Sequence, residues 1–161
     1  MAHEETLKNL QKALSMELSA AHQYQLHAHV LEDWGIDRLA EKMREEMQEE
    51  LGHSDAYIER IMFLKGDPEM RFDKPPARAQ SLADMFEADL GDEKEAIEFY
   101  TKAARQAADE GDVGSRVLFE KIVLDEEGHM SWLELQLDLI SRMGEPAYIA
   151  KHMSAPGGHE D

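Results

Sequence analysis

Two short stretches, Glu50-Leu51-Gly52-His53 and Glu126-Glu127-Gly128-His129, constrain this chain more than anything else in it. Residues three apart share one face of a helix, so each stretch aims a carboxylate and an imidazole at the same point. Roughly one Glu-x-x-His pair is expected by chance in a chain this rich in Glu and His. The separation of the two pairs carries the weight: 126 − 50 and 129 − 53 both give 76. The same offset takes Glu17 to Glu93, Tyr24 to Tyr100, Gly35 to Gly111 and Gly52 to Gly128. A shift that preserves Glu, Tyr, Gly and His together marks two copies of one helical hairpin. Each copy supplies one lone Glu from its first helix and one Glu-x-x-His from its second.

The apolar periodicity places these residues. From Glu4 to about Trp34, residues Leu7, Leu10, Leu14, Ala21, Tyr24, Ala28 and Leu31 step by three and four, and the vacant place at position 17 is filled by Glu. Gly35 ends that helix. A second seam runs through Ile36, Leu39, Met43, Tyr57, Ile61 and Leu64, with Glu50 and His53 inside it. After Gly66-Asp67-Pro68 the pattern lapses until Ser81, an N-cap candidate, and such a length suits a crossover along a bundle rather than a tight turn. The third helix, Leu82 to Ala108, carries Glu93 in its seam, and the fourth, Val113 to Met143, carries Glu126 and His129. Gly144 breaks the chain before one or two short turns between Pro146 and Met153. The reading is all-α: four long helices, a long crossover between the second and third, and a short fifth. Residues 1–153 form the one domain, and 154–161, rich in Gly and charge, read as a disordered tail.

A charged, unpaired Glu in a place that Leu would fill costs several kcal/mol. The seams present no Lys or Arg opposite these four, which leaves protonation or bound cations. Two divalent ions balance four carboxylates, and two imidazoles complete the donor set. Glutamate oxygen and imidazole nitrogen without thiolate suit iron or manganese, with zinc as a redox-inert competitor. The chain has no Cys, so disulfides, iron–sulfur clusters and thiolate zinc sites are excluded. Its net charge of −18 disfavours nucleic acid and anionic membranes and favours cations. A polar, acidic start and no long apolar run give the expectation of a cytoplasmic protein.

Around the site the sequence resembles the bacterioferritins, within the ferritin-like superfamily, from Thr6 to Ala150. The resemblance rests on Glu17 with Ala20 to Tyr24, Asp33-Trp34-Gly35, Glu50-x-x-His53 with Tyr57 to Ile61, and Leu90 to Glu93. Asp125-Glu126-Glu127-Gly128-His129 with Trp132-Leu133-Glu134 is its most specific part. It implies a ferritin-like four-helix bundle with a di-iron ferroxidase centre. Glu17 and His53 would bind one iron, Glu93 and His129 the other, and Glu50 and Glu126 would bridge. Dioxygen or peroxide would take the electrons, and ferric mineral would be stored inside a homo-oligomeric cage of 24 subunits. Tyr24 would hydrogen-bond or donate an electron near the site, with core packing as the rival account of both Tyr24 and Tyr100.

Two departures qualify the resemblance. The family ligates haem through a Met directly after the bridging Glu of the second helix, and here that residue is Leu51. Gln25, Arg44 and Gln48 make the surroundings polar, and Met47, one turn earlier, reads as packing. The expectation is no haem in a homo-oligomer, or else a mixed cage in which a second kind of subunit brings it. Glu41, Glu45 and Glu49 also form an acidic row, either a solvated face or a site of cation access and mineral nucleation. His22, His27 and His29 read as surface or interface residues, and Trp34 and Trp132 as packing anchors. The competing readings are a cage-less di-iron peroxide-reducing enzyme, a DNA-protecting mini-cage and a purely structural bundle.

Overall fold

The computed structural model describes residues 3–154, in which the chain forms α1 (Glu4–Asp33), α2 (Asp37–Phe63), α3 (Leu82–Asp109), α4 (Val113–Met143) and α5 (Glu145–Lys151). Among the described residues there is no strand. The hairpins α1–α2 and α3–α4 turn at Gly35 and Gly111, whose φ angles of 81° and 76° lie in the left-handed region that a side chain resists. These two glycines are related by the 76-residue offset, so the copies share their turns as well as their carboxylates. Ser81 caps α3 by accepting a hydrogen bond from the Asp84 amide at 3.2 Å, and Asp112 caps α4 through Ser115.

The hairpins meet through α1 with α3 and through α2 with α4. Both pairs are antiparallel: Asn9 meets Gln106, Glu17 meets Tyr100 and Tyr24 meets Glu93, while Glu49 meets His129 and His53 meets Asp125. That is the arrangement a crossover between the second and third helices produces. The seam residues named from periodicity are buried, apart from Leu7 and Leu64 near the helix ends, which are half-buried.

The core is divided. One apolar cluster gathers Leu31, Met43, Phe86, Leu133 and Tyr148, and a second gathers Leu10, Leu14, Tyr57, Tyr100 and Phe119. On α2, α3 and α4 the Glu and His residues of the sequence pattern fall between the members of the two clusters, and on α1 Glu17 adjoins Leu18, the last residue of the second cluster before Tyr24 of the first. A polar layer therefore crosses the bundle with hydrocarbon above and below it. α5 closes one end by burying Tyr148, whose hydroxyl donates to Gln136 at 2.6 Å. Ser154, the first residue of the expected tail, is tied to Asp37 through its amide at 2.9 Å, and the remainder of that tail, 155–161, lies outside the described residues.

Candidate metal centre

Glu17 from α1, Glu50 and His53 from α2, Glu93 from α3, and Glu126 and His129 from α4 all point into the polar layer and are buried. They make two overlapping donor groups. Atoms of Glu17, Glu50, His53 and Glu126 lie within 4.8 Å of one another, as do atoms of Glu50, Glu93, Glu126 and His129. Glu50 and Glu126 belong to both groups and the other four residues to one each. The Nδ1 atom of His53 stands 3.0 Å from Glu126 and 3.6 Å from both Glu17 and Glu50. The Nδ1 atom of His129 stands 3.2 Å from Glu50 and 3.4 Å from Glu93.

These atoms converge without satisfying one another. Glu17 Oε2, Glu50 Oε1, Glu93 Oε2, Glu126 Oε1 and both Nδ1 atoms are buried without an aligned hydrogen-bond partner. Natural cores leave only a few such groups, and six aimed at one layer fit a pair of cations. The residues present thus suit the divalent ions that the spacing implied.

The electrostatics agree. Burial and the facing carboxylates of Glu17, Glu126 and Glu93 push Glu50 well above the usual carboxylate range. Burial, with Glu17 and Glu93, does the same to Glu126. For Glu17 burial acts upward too, but Glu50, His53 and the Tyr100 hydroxyl outweigh it and hold the group below its usual range. Burial works against charge on the imidazoles, yet Glu126 and Glu17 raise His53 to about 11, and Glu46 and Glu93 raise His129 to about 12.

Tyr24 stands where a hydrogen bond near the site was expected, and further partners of the site were not visible in the sequence pattern. The Tyr24 hydroxyl donates to Glu93 at 2.7 Å and the Tyr100 hydroxyl to Glu17 at 2.8 Å, so both tyrosines serve the layer as well as the core. Behind the imidazoles, His53 Nε2 meets Asp125 at 2.9 Å, and His129 Nε2 meets Glu46 at 2.7 Å and Glu49 at 2.8 Å. Asp125 corresponds to Glu49 by the offset, whereas Glu46, which is buried, corresponds to Ile122. His27 corrects the surface reading. It is 1 % exposed, 3.1 Å from buried Asp89, because one helical turn beyond Tyr24 still faces α3. Glu41 and Glu45 are exposed, as a solvated face requires, and Glu49 alone of that row reaches the site. Trp34 and Trp132 pack on the core as read.

The ferritin-like domain family matches residues 7–143. The bacterioferritin of Brucella melitensis is 43% identical over 143 residues, covering 88% of each chain. That of Mycobacterium leprae is 38% identical over 152 residues, covering 94% of this chain and 96% of its own. This chain belongs to the bacterioferritin family. Among solved structures, a Mycobacterium tuberculosis bacterioferritin superposes with a TM-score of 0.94 at 35% identity, covering 97% of each chain. The Rhodobacter capsulatus bacterioferritin, solved with a metal-free dinuclear site and a haem iron, superposes at 0.91 and 36% identity, covering 94% of each. Bacterioferritin membership accounts for the duplicated hairpins, the crossover and the short α5 together.

Proposed function

We propose that this bacterioferritin stores iron and oxidises Fe(II) at a di-iron centre within each subunit. The observation that carries the reading is the sharing of Glu50 and Glu126 between two donor groups. Glu17 and His53 bind one metal, Glu93 and His129 the other, and Glu50 and Glu126 bridge them. Two ferrous ions held there would together supply two electrons to dioxygen or peroxide. The protein's part is to orient and to insulate. Tyr24 and Tyr100 restrain the two lone carboxylates through their hydroxyls. Asp125, with Glu49 and Glu46, takes the Nε2–H of each imidazole, which leaves Nδ1 free for metal and fixes the tautomer. The apolar clusters on both sides exclude bulk water and keep the paired geometry fixed.

The same reading includes a homo-oligomeric cage of 24 chains, a cytoplasmic location, and no haem in the homo-oligomer. Leu51 offers no axial ligand where the family ligates haem through Met. Met47 packs on the core, and Arg44 is paired with Glu32 at 2.7 Å. Haem reconstitution of the purified protein gives no stoichiometric Soret band; such a band would reverse the haem-free assignment. No helix among the described residues is long and apolar enough to cross a membrane.

The test is an anaerobic ferrous titration of apo-protein followed by oxygen, with absorbance and particle mass recorded together. Two irons per chain followed by a growing core support storage. A small particle that consumes peroxide without mineral points instead to a cage-less redox enzyme. Glu93→Ala removes the fast oxidation phase and leaves helix content unchanged.

A further inference from the structure

We propose that the Lys74 ammonium is the removable stopper of a direct passage into the metal layer, and that its exchange for an incoming divalent cation sets how fast the site fills. The inference rests on the di-metal reading and adds the route by which ions arrive. A cavity opens between α1, α3 and the crossover, with the four site carboxylates at its floor and an internal volume of about 30 Å³. That is room for one or two waters, so an ion passes only after shedding most of its hydration. Partly buried Met16 and Ala20, with buried Ala96, form the neck.

The mouth is built from Asp92, Glu95 and the crossover. Among the described residues lining the cavity Lys74 is the one basic side chain, and its ammonium lies 2.6 Å from Asp92 and 3.4 Å from Glu95. Asp73 beside it is engaged by Lys12. The backbone under Lys74 is pinned: the Asp73 amide donates to Ser19 Oγ at 2.8 Å and to the Ser15 carbonyl at 3.1 Å, and the Lys74 amide donates to Ser19 Oγ at 3.2 Å. Pro75 and Pro76 stiffen the next stretch of the crossover. The strap holds still, and the half-exposed side chain is the part that swings. An exposed ion pair of this kind is weak. A divalent cation competes for Asp92 and Glu95 with twice the charge, and the carboxylates below draw it onward.

The experiment mixes assembled apo-protein with Co(II) without oxygen, following the visible absorption of bound metal in time and at equilibrium. Lys74→Met, which keeps the bulk and removes the charge, speeds the initial binding phase by about fivefold at low salt, and Lys74→Glu speeds it more. Both gains shrink as salt rises, and both variants still bind two Co(II) per chain. The double variant Asp92→Asn, Glu95→Gln binds more slowly. A second arm preloads Fe(II) and then adds oxygen, and the Lys74 variants oxidise it at the parental rate. Unchanged Co(II) kinetics in Lys74→Met with stoichiometry intact overturns the stopper. A change confined to the oxidation step also overturns it and assigns the passage to the oxidant. Failure of the parent protein to bind two Co(II) sinks the di-metal reading itself, and the stopper with it.

Discussion

Tyr24 donates to Glu93 and Tyr100 to Glu17, so each copy's phenol restrains the other copy's lone carboxylate. The cross-bracing has a charge counterpart. Burial and the surrounding carboxylates push Glu50 and Glu126 well above the usual carboxylate range, and His53 at about 11 and His129 at about 12 keep their protons at neutral pH. Two divalent ions therefore replace at least the two imidazolium protons. Since metal binds the deprotonated ligands, apparent affinity falls as pH falls. A Co(II) titration in weak buffer with a pH indicator should show at least about two protons released per ion pair near pH 7; release near zero would mean that both imidazoles are already neutral. Behind the imidazoles the two copies differ in charge at buried Glu46, which backs His129 where Ile122 stands in the other copy. Glu46→Gln weakens one of the two Co(II) binding steps by about tenfold, the low end for such supporting contacts, and spares the other. Equal weakening of both steps would show that Glu46 does not distinguish them. The six Glu and His donors were legible because spacing and seam position fix their direction. Glu46, Asp125 and the His27–Asp89 pair were not. On an acidic helix Glu46 looks like solvated Glu45, and His27 meets Asp89 only once the antiparallel register of α1 and α3 is known.

At the level of elements, the four long helices and their breaks were set by apolar period and glycine position, while the path of the crossover was not. It is laid along α1 by the polar side chains of Gln11, Ser19 and Gln23, eight and then four residues apart. Gln11 donates to the Asp67 carbonyl at 2.7 Å and accepts from the Glu69 amide at 3.0 Å, Ser19 holds the amides of Asp73 and Lys74, and Gln23 exchanges two bonds with Ala77 at 2.8 and 2.9 Å. Residues at such spacing read equally well as a wet helix face, so only the docked strap gives them a purpose. The ladder satisfies backbone groups that a segment without regular structure would otherwise leave to water. Gln23 also touches His27, joining the strap to the buried pair behind it. Gln23→Ala should lower stability by about 1 to 2 kcal/mol, measured by denaturant unfolding, and should speed hydrogen exchange at Ala77 while leaving the Asp73 and Lys74 amides slow. Uniform acceleration along the strap would mean that it detaches as one piece rather than rung by rung.

For the whole molecule the difficulty is charge. A chain carrying −18 repels its own copies, yet the bacterioferritin reading requires many of them to pack together. The surface shows where attraction can arise. Leu124 is 68 % exposed and Val117 49 % on α4, and Leu124 borders a groove with Val123, Ala104 and Ala108 between α3 and α4. Large apolar side chains beside a groove offer a face that a neighbouring chain could cover. Arg105, Arg116 and Glu120 line the same groove, so opposite charges of a neighbour find partners there despite the acidic total. Leu124→Glu places a carboxylate in that face without touching either core cluster. It should shrink the particle from the proposed assembly of 24 chains, each of 18.4 kDa, towards smaller species. The effect is greater at low salt, where repulsion is least screened, with circular dichroism unchanged. Light scattering across a salt series checks this: an unaltered particle mass at every salt would place the assembly contacts elsewhere, whereas partial recovery of the large particle at high salt would show that the apolar face works against the net charge.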